Sequence, residues 1–166
     1  MTSPVAPQDD GRDESRAERM DRNWLELLQE MRVLQTGVQI LAGFLLTLPF
    51  QARFETLDDH QTTLYLVNVV VAALTTASIL FPVGVHRRLF RQGLKATLVS
   101  SADAMLKVSL TGVALLSVGT TSLVFDVTAG RAAGLTAGVL LLCVLVLLLV
   151  ALPAYLRRKG REEESA

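Results

Sequence analysis

The stretch Ala132–Leu152, AAGLTAGVLLLCVLVLLLVAL, decides the fold. It carries no charge, and from Val139 onward it holds no strongly polar side chain. At about 1.5 Å of rise per residue, a helix of this length reaches about 30 Å, the thickness of a bilayer's hydrocarbon core. A helix of a soluble domain would interrupt such a run with polar residues every three or four positions. One that is apolar on every side faces lipid over much of its surface. Outward from this stretch lie three more apolar runs, Val33–Phe50, Leu64–Gly84 and Ala104–Val124.

Four such runs predict an all-α polytopic membrane protein, with four transmembrane helices in an up-down bundle. Composition agrees. The chain is 51% hydrophobic, and its charges gather between the runs instead of alternating with them. A charge at the centre of hydrocarbon costs about 2.5–3.5 kcal/mol or more, which separates the two kinds of residue along the chain. Local signals set the expected ends. Pro49 sits near the end of the first run, and Pro82 with Gly84 closes the second. Ser100, with Asp103 three residues on, resembles a helix start for the third. Pro153 and Tyr155 mark the exit of the fourth.

Residues 1–16 are rich in Pro, Asp, Ser and Arg, and are expected to be a disordered tail. From Ala17 the pattern changes. Met20, Trp24, Leu27, Leu28 and Met31 recur at spacings of three and four, with Arg22, Glu26, Gln29 and Glu30 on the other face. This predicts a short amphipathic helix on the membrane surface before the first span, with Trp24 at headgroup level. The alternative is that its apolar face packs on another part of the chain. Residues 17–156 thus form the membrane domain with its surface helix, and 157–166 a charged tail. The polar first thirty residues contain no apolar h-region, so no signal peptide is expected there.

Basic residues set topology. Of 16 Lys and Arg, only Arg53 and Arg131 lie between spans one and two or between spans three and four. The others precede the first span, follow the fourth, or cluster around the middle connection as Arg87, Arg88, Arg91, Lys95 and Lys107. Both termini and the middle loop are therefore placed in the cytoplasm of a plasma-membrane protein. The middle loop is expected to be helical, and Arg87, Arg88, Arg91 and Lys95 are candidate contacts for anionic lipid headgroups, besides enforcing orientation.

Polar residues within the spans are the place to look for transport. Gln35 and Gln39 lie one turn apart on the first helix, Asn68 and Thr75 seven apart on the second, and Ser109 on the third. Alternating helices bring these to similar depths, as a candidate polar seam. Such groups commonly hold helices together; the other reading is a narrow path for a solute or ion. No carboxylate lies mid-span, where proton-coupled transporters place one. Asp103 and Lys107 pair at one helix end, and Asp126 and Arg131 at the other surface. Gly130, Gly134 and Gly138 repeat every four residues and form a candidate helix–helix contact, internal or within a homo-oligomer, for which Gly112 and Gly119 offer a groove. Nucleophile–base pairs, phosphate-binding loops and metal-ligand spacings are lacking, and His60 and His86 fall on opposite sides of the membrane. Cys143 stands alone in an apolar run. These observations predict no enzyme, no cofactor, no metal and no nucleic-acid partner.

The stretch Leu25–Leu48, LELLQEMRVLQTGVQILAGFLLTL, continued by Pro49-Phe50-Gln51-Ala52-Arg53-Phe54, resembles a family of small uncharacterised membrane proteins from actinobacteria. So does Phe81-Pro82-Val83-Gly84-Val85-His86-Arg87, followed by Leu89-Phe90-Arg91 and Lys95. The resemblance runs from about Asn23 to about Val124. It implies the same four-helix fold and a bacterial plasma-membrane location. Members often carry the label sodium:proton antiporter, and the resemblance transfers no catalytic or binding residues. Two functions follow as expectations: a non-enzymatic structural, accessory or regulatory membrane module, or a small oligomeric transporter or channel subunit for a cation or small solute.

Overall fold

The structure, a computed structural model, describes residues 16–89 and 95–164, with side chains described for 18–19, 22–85 and 101–163. Over these residues the fold is all-helical, broken only at Gln51, Leu57, Asp58 and Gly130. Helix α1 spans Arg16–Thr47, α2 Asp59–Leu89, α3 Lys95–Ala129 and α4 Arg131–Val146. A π turn at Leu147–Ala151 joins α4 to α5, Leu152–Glu164. Four helical rods are long and apolar enough to cross a membrane.

The amphipathic stretch is not a separate helix. With neither glycine nor proline between Arg16 and Thr36, nothing interrupts the hydrogen-bond ladder, and α1 continues straight through it. Met31, at the end of the apolar face, is buried with Val38 and Ile79, beside Leu34, Leu106 and Val113, and so packs on the neighbouring helices. Pro49 then limits the helix. The chain passes through 3₁₀ turns at Leu48–Phe50 and Ala52–Thr56, and Phe54 meets Tyr65 edge to face, with centroids 5.0 Å apart.

Three expected helix ends are also corrected. Pro82 and Gly84 do not close α2, which carries Pro82 fully buried within it and runs on to Leu89. Ser100 does not open α3, which begins at Lys95. Pro153 does not end the fourth rod. Proline cannot donate to a carbonyl one turn back, and the π turn just before it is the local departure from the regular ladder. The charged tail is helical through Glu164.

Helices α1, α2 and α3 pack on one another around Leu45, Tyr65, Ala72, Leu116 and Leu123. Helix α4 packs extensively only on α3. The four rods thus form a three-helix core with a flanking helix, not a closed four-helix bundle. The reason lies in side-chain size: only Gly134 and Gly138 are buried on α4, and beyond them the helix presents large aliphatic residues on all sides. Leu135, Val139, Leu140, Val144 and Leu147 stand exposed, an apolar surface on a rod long enough to cross a membrane.

Candidate functional site

The antiparallel α2–α3 interface is built on a shared step of seven, two helical turns, which keeps Gln61, Asn68 and Thr75 on one face of α2 and Asp126, Gly119 and Gly112 on the facing side of α3. Thr75 occupies the space a side chain at Gly112 would fill: a Cβ there would lie 2.2 Å from its Oγ1. Asn68 does the same at Gly119, where a Cβ would lie 2.1 Å from its Oδ1. The glycines thus admit polar side chains between two closely spaced helices. Thr75 Oγ1 donates back to the Val71 carbonyl at 2.7 Å, and Ser78 Oγ and Ser109 Oγ are bonded at 2.7 Å. Ser109 is wholly buried, with Asn68 and Thr75 nearly so. Asn68 Nδ2 and Thr120 Oγ1 are buried without a hydrogen-bond partner.

Of the expected seam, the structure brings together Asn68, Thr75 and Ser109 but leaves out Gln35 and Gln39. The two glutamines are exposed on α1 and line a groove of about 170 Å³ with Val38, Thr76, Ile79 and Leu80. They reach the expected depth on the outer flank, because Met31, Val38 and Leu45, at steps of seven, take the inward face of α1.

The glycine expectation is also divided. Gly134 and Gly138 pack on α3, where a Cβ at Gly134 would lie 2.7 Å from both the Ser122 carbonyl oxygen and Asp126 Cβ. Ser122 Oγ donates to the Gly134 carbonyl across the same contact, at 3.0 Å. Gly130 makes no such contact. It holds φ at +93° and turns the chain from α3 into α4 in a single residue, a conformation that suits glycine. The groove at Gly112 and Gly119 is filled by α2, and so does not receive the α4 glycines. Of the basic cluster, Arg91 lies outside the described residues, as do the side chains of Arg87, Arg88 and Lys95.

A second polar cluster closes the end of the molecule that carries the α1–α2 and α3–α4 connections. Asp58 and Gln61 cap α2 reciprocally: the Gln61 amide donates to Asp58 Oδ1 at 2.8 Å, and the Asp58 amide to Gln61 Oε1 at 3.1 Å. Gln61 Nε2 then donates to Asp126 Oδ1 at 2.7 Å. Arg131 joins three helices, with Nε 2.9 Å from Asp126 Oδ2 and Nη2 2.6 Å from Asp58 Oδ2. His60 Nε2 stands 3.9 Å from Asp126 Oδ2, and Arg53 Nη2 donates to the Val127 carbonyl at 3.2 Å. The Asp126–Arg131 pair expected at the surface is present, but its carboxylate is buried. The reciprocal cap was legible as Asp-x-x-Gln at 58–61. The bond from Gln61 to Asp126 spans 65 positions and left no local signal.

The hydrogen bond from the Gln61 amide holds the Asp58 carboxyl below the usual carboxylate range; partial desolvation opposes this, and the Arg131 charge adds to it. A lowered folded-state pKa gives stability that is complete above the ordinary carboxylate value and lost as pH falls through the lowered one. The melting temperatures of the wild type and Asp58→Asn are therefore expected to differ at neutral pH and to converge on acidification below that range. Curves that stay parallel would remove Asp58 from the pH response.

Chemically, both clusters bind parts of this chain to one another. Among the described residues no group of three or more His, Cys, Asp or Glu is arranged to hold a metal ion. Asp103 and Lys107 pair at 2.5 Å on the exposed surface of α3.

One protein-family model, DUF6328, a family of unknown function, matches residues 13–153. No curated protein matches the chain. No solved structure matches it either.

Proposed function

The chain belongs to DUF6328, and from that premise we propose that it is a plasma-membrane protein with both termini cytoplasmic, acting without enzymatic chemistry as a structural, accessory or regulatory module. Four long apolar helices support the insertion. The orientation rests on the basic residues, which leave only Arg53 and Arg131 for the outer side. Both are engaged there, Arg53 with the Val127 carbonyl and Arg131 with Asp58 and Asp126. The basic residues around the middle connection then face the anionic inner leaflet.

One observation carries the module reading. Ser78 and Ser109 bond to each other across the α2–α3 interface, and Thr75 and Asn68 fill the space beside Gly112 and Gly119 between the two closely packed helices. Such contacts hold the two helices together, and the interhelical bond between Ser78 and Ser109 is worth about 0.6–2 kcal/mol in a membrane. The transporter-subunit reading draws on the unpaired Asn68 Nδ2 and Thr120 Oγ1, which leave polar capacity inside the seam.

Proteoliposomes holding the purified chain are expected to show no protein-dependent flux under sodium, potassium or proton gradients. A flux that Ser109→Leu abolishes would place the seam on a conduction path and promote the transporter reading.

A further inference from the structure

We propose that α1 is a self-association face, along which a second copy of this chain docks in the α1/α2 groove so that Gln35 and Gln39 of the two copies hydrogen-bond to each other. This rests on the membrane reading above. Gln39 lies seven residues beyond Arg32, about 10 Å further along the helix axis, well inside the apolar part of α1. Both glutamines are exposed, and neither side chain has a hydrogen-bond partner among the described residues. Thr36 between them is already bonded to the Arg32 carbonyl. An amide facing hydrocarbon keeps two donors and an acceptor unmet, a state that a facing helix with polar groups at the same depth relieves.

The surroundings admit such a helix. The groove beside the glutamines shares Thr76 and Leu80 with a larger one of about 420 Å³, whose walls include the small residues Ala42, Ala73 and Ala77. Gly43, one turn beyond Gln39, is exposed, with no atom within 4 Å of where its Cβ would stand. Helix α4 is the more exposed surface, but past Thr136 its outer face carries aliphatic side chains and the weakly hydrogen-bonding thiol of Cys143, and so lacks a strong directional group to fix a partner.

The occupant follows from the chemistry. A primary amide is donor and acceptor at once, so it complements its own copy. Two copies inserted in the same orientation set Gln39 opposite Gln39 at equal depth, as a two-fold interface requires. A buried polar residue at one helical position is also a common means of fixing register.

The test uses the full chain in lipid vesicles. Carbonate washing checks insertion, and so tests the membrane reading separately from association. Subunit counting by photobleaching is expected to find dimers, and Gln35→Leu with Gln39→Leu to weaken association by about tenfold or more. Gln39→Asn, which keeps the amide, is expected to retain it. Since no internal bond is lost, the melting temperature of the double variant should match the wild type in detergent dilute enough to hold both as monomers. In a Cys143→Ala background, Gly43→Cys should form an intermolecular disulfide in far higher yield than Val139→Cys on α4. Wild-type monomers, dimers indifferent to the double substitution, or crosslinking favoured at Val139→Cys would each overturn the proposal. So would a different protein captured on α1 while the chain itself stays monomeric.

Discussion

Gly134→Ala is expected to destabilise the protein by about 1–3 kcal/mol and to loosen α4 from α3. Elsewhere in a helix this change gains up to about 1 kcal/mol, because alanine is the better helix former. At Gly134 the added methyl would stand 2.7 Å from the Ser122 carbonyl oxygen and 2.9 Å from the Asp126 amide nitrogen. Both are backbone atoms of α3 and cannot rotate away, so the helices must separate. Separation breaks the bond from Ser122 Oγ to the Gly134 carbonyl and disturbs Asp126. Overpacking of this kind costs about 1–3 kcal/mol, occasionally more. The contact is also the main attachment of α4, which has no comparable interface with α1 or α2. Gly138→Ala supplies the comparison. Its methyl would meet the Ser122 side chain at 3.2 Å, a contact relieved by a shift of a few tenths of an ångström, so a near-neutral effect is expected. Thermal unfolding in detergent, followed by circular dichroism, separates the two. Equal melting temperatures for Gly134→Ala and wild type would show that α4 does not depend on this approach.

Asp126→Ala is expected to lower stability by about 2–3 kcal/mol. The carboxylate is 5% exposed and is the point where α2, α3 and α4 meet, through Gln61 Nε2 and Arg131 Nε. Its removal leaves the partly buried Gln61 amide unpaired and takes one of two carboxylates from Arg131. Unpaired buried polar groups cost about 1–3 kcal/mol each, more where charge is involved. Arg131 is 44% exposed and keeps Asp58, so water and that second acid soften the loss on its side. Arg131→Ala alone should cost at least as much as Asp126→Ala, because it leaves the buried Asp126 carboxylate without its cation. The double variant should cost less than the two single effects added, because they share one contact. Asp126→Asn should recover part of the loss by accepting one of the two bonds. Unfolding free energies for this cycle that simply add would mean that the pair contributes nothing jointly.

Several features were legible from residue order. The four apolar runs were, because a length and a polarity sufficient to cross a membrane are properties of each helix taken alone. The pairing of Asp103 with Lys107 was legible too, since four residues bring two side chains together on any helix. Helix ends were misjudged where proline was taken as a stop. Pro82 is carried fully buried within α2, and a π turn immediately precedes Pro153. The candidate seam was half legible. Asn68 and Thr75 share with Gly119 and Gly112 a step of seven, a pattern that pairs small residues with polar ones and was present in the sequence. Gln35 and Gln39 matched them in depth, but depth does not fix rotation about a helix axis.

The sequence by itself determined that four long apolar helices form, where along each helix its polar residues fall, and how basic residues are distributed along the chain. These depend on local propensity and on transfer between water and hydrocarbon, both additive along a chain. Only the tertiary structure decided that α1 turns Met31, Val38 and Leu45 inward and its glutamines outward. It alone decided that α4 docks on α3, and that Asp126 is buried under Gln61 and Arg131. Among helices that are apolar nearly all round, hydrophobicity no longer distinguishes one face from another. The choice then falls to close packing at a few glycines and to hydrogen bonds between residues far apart in the chain.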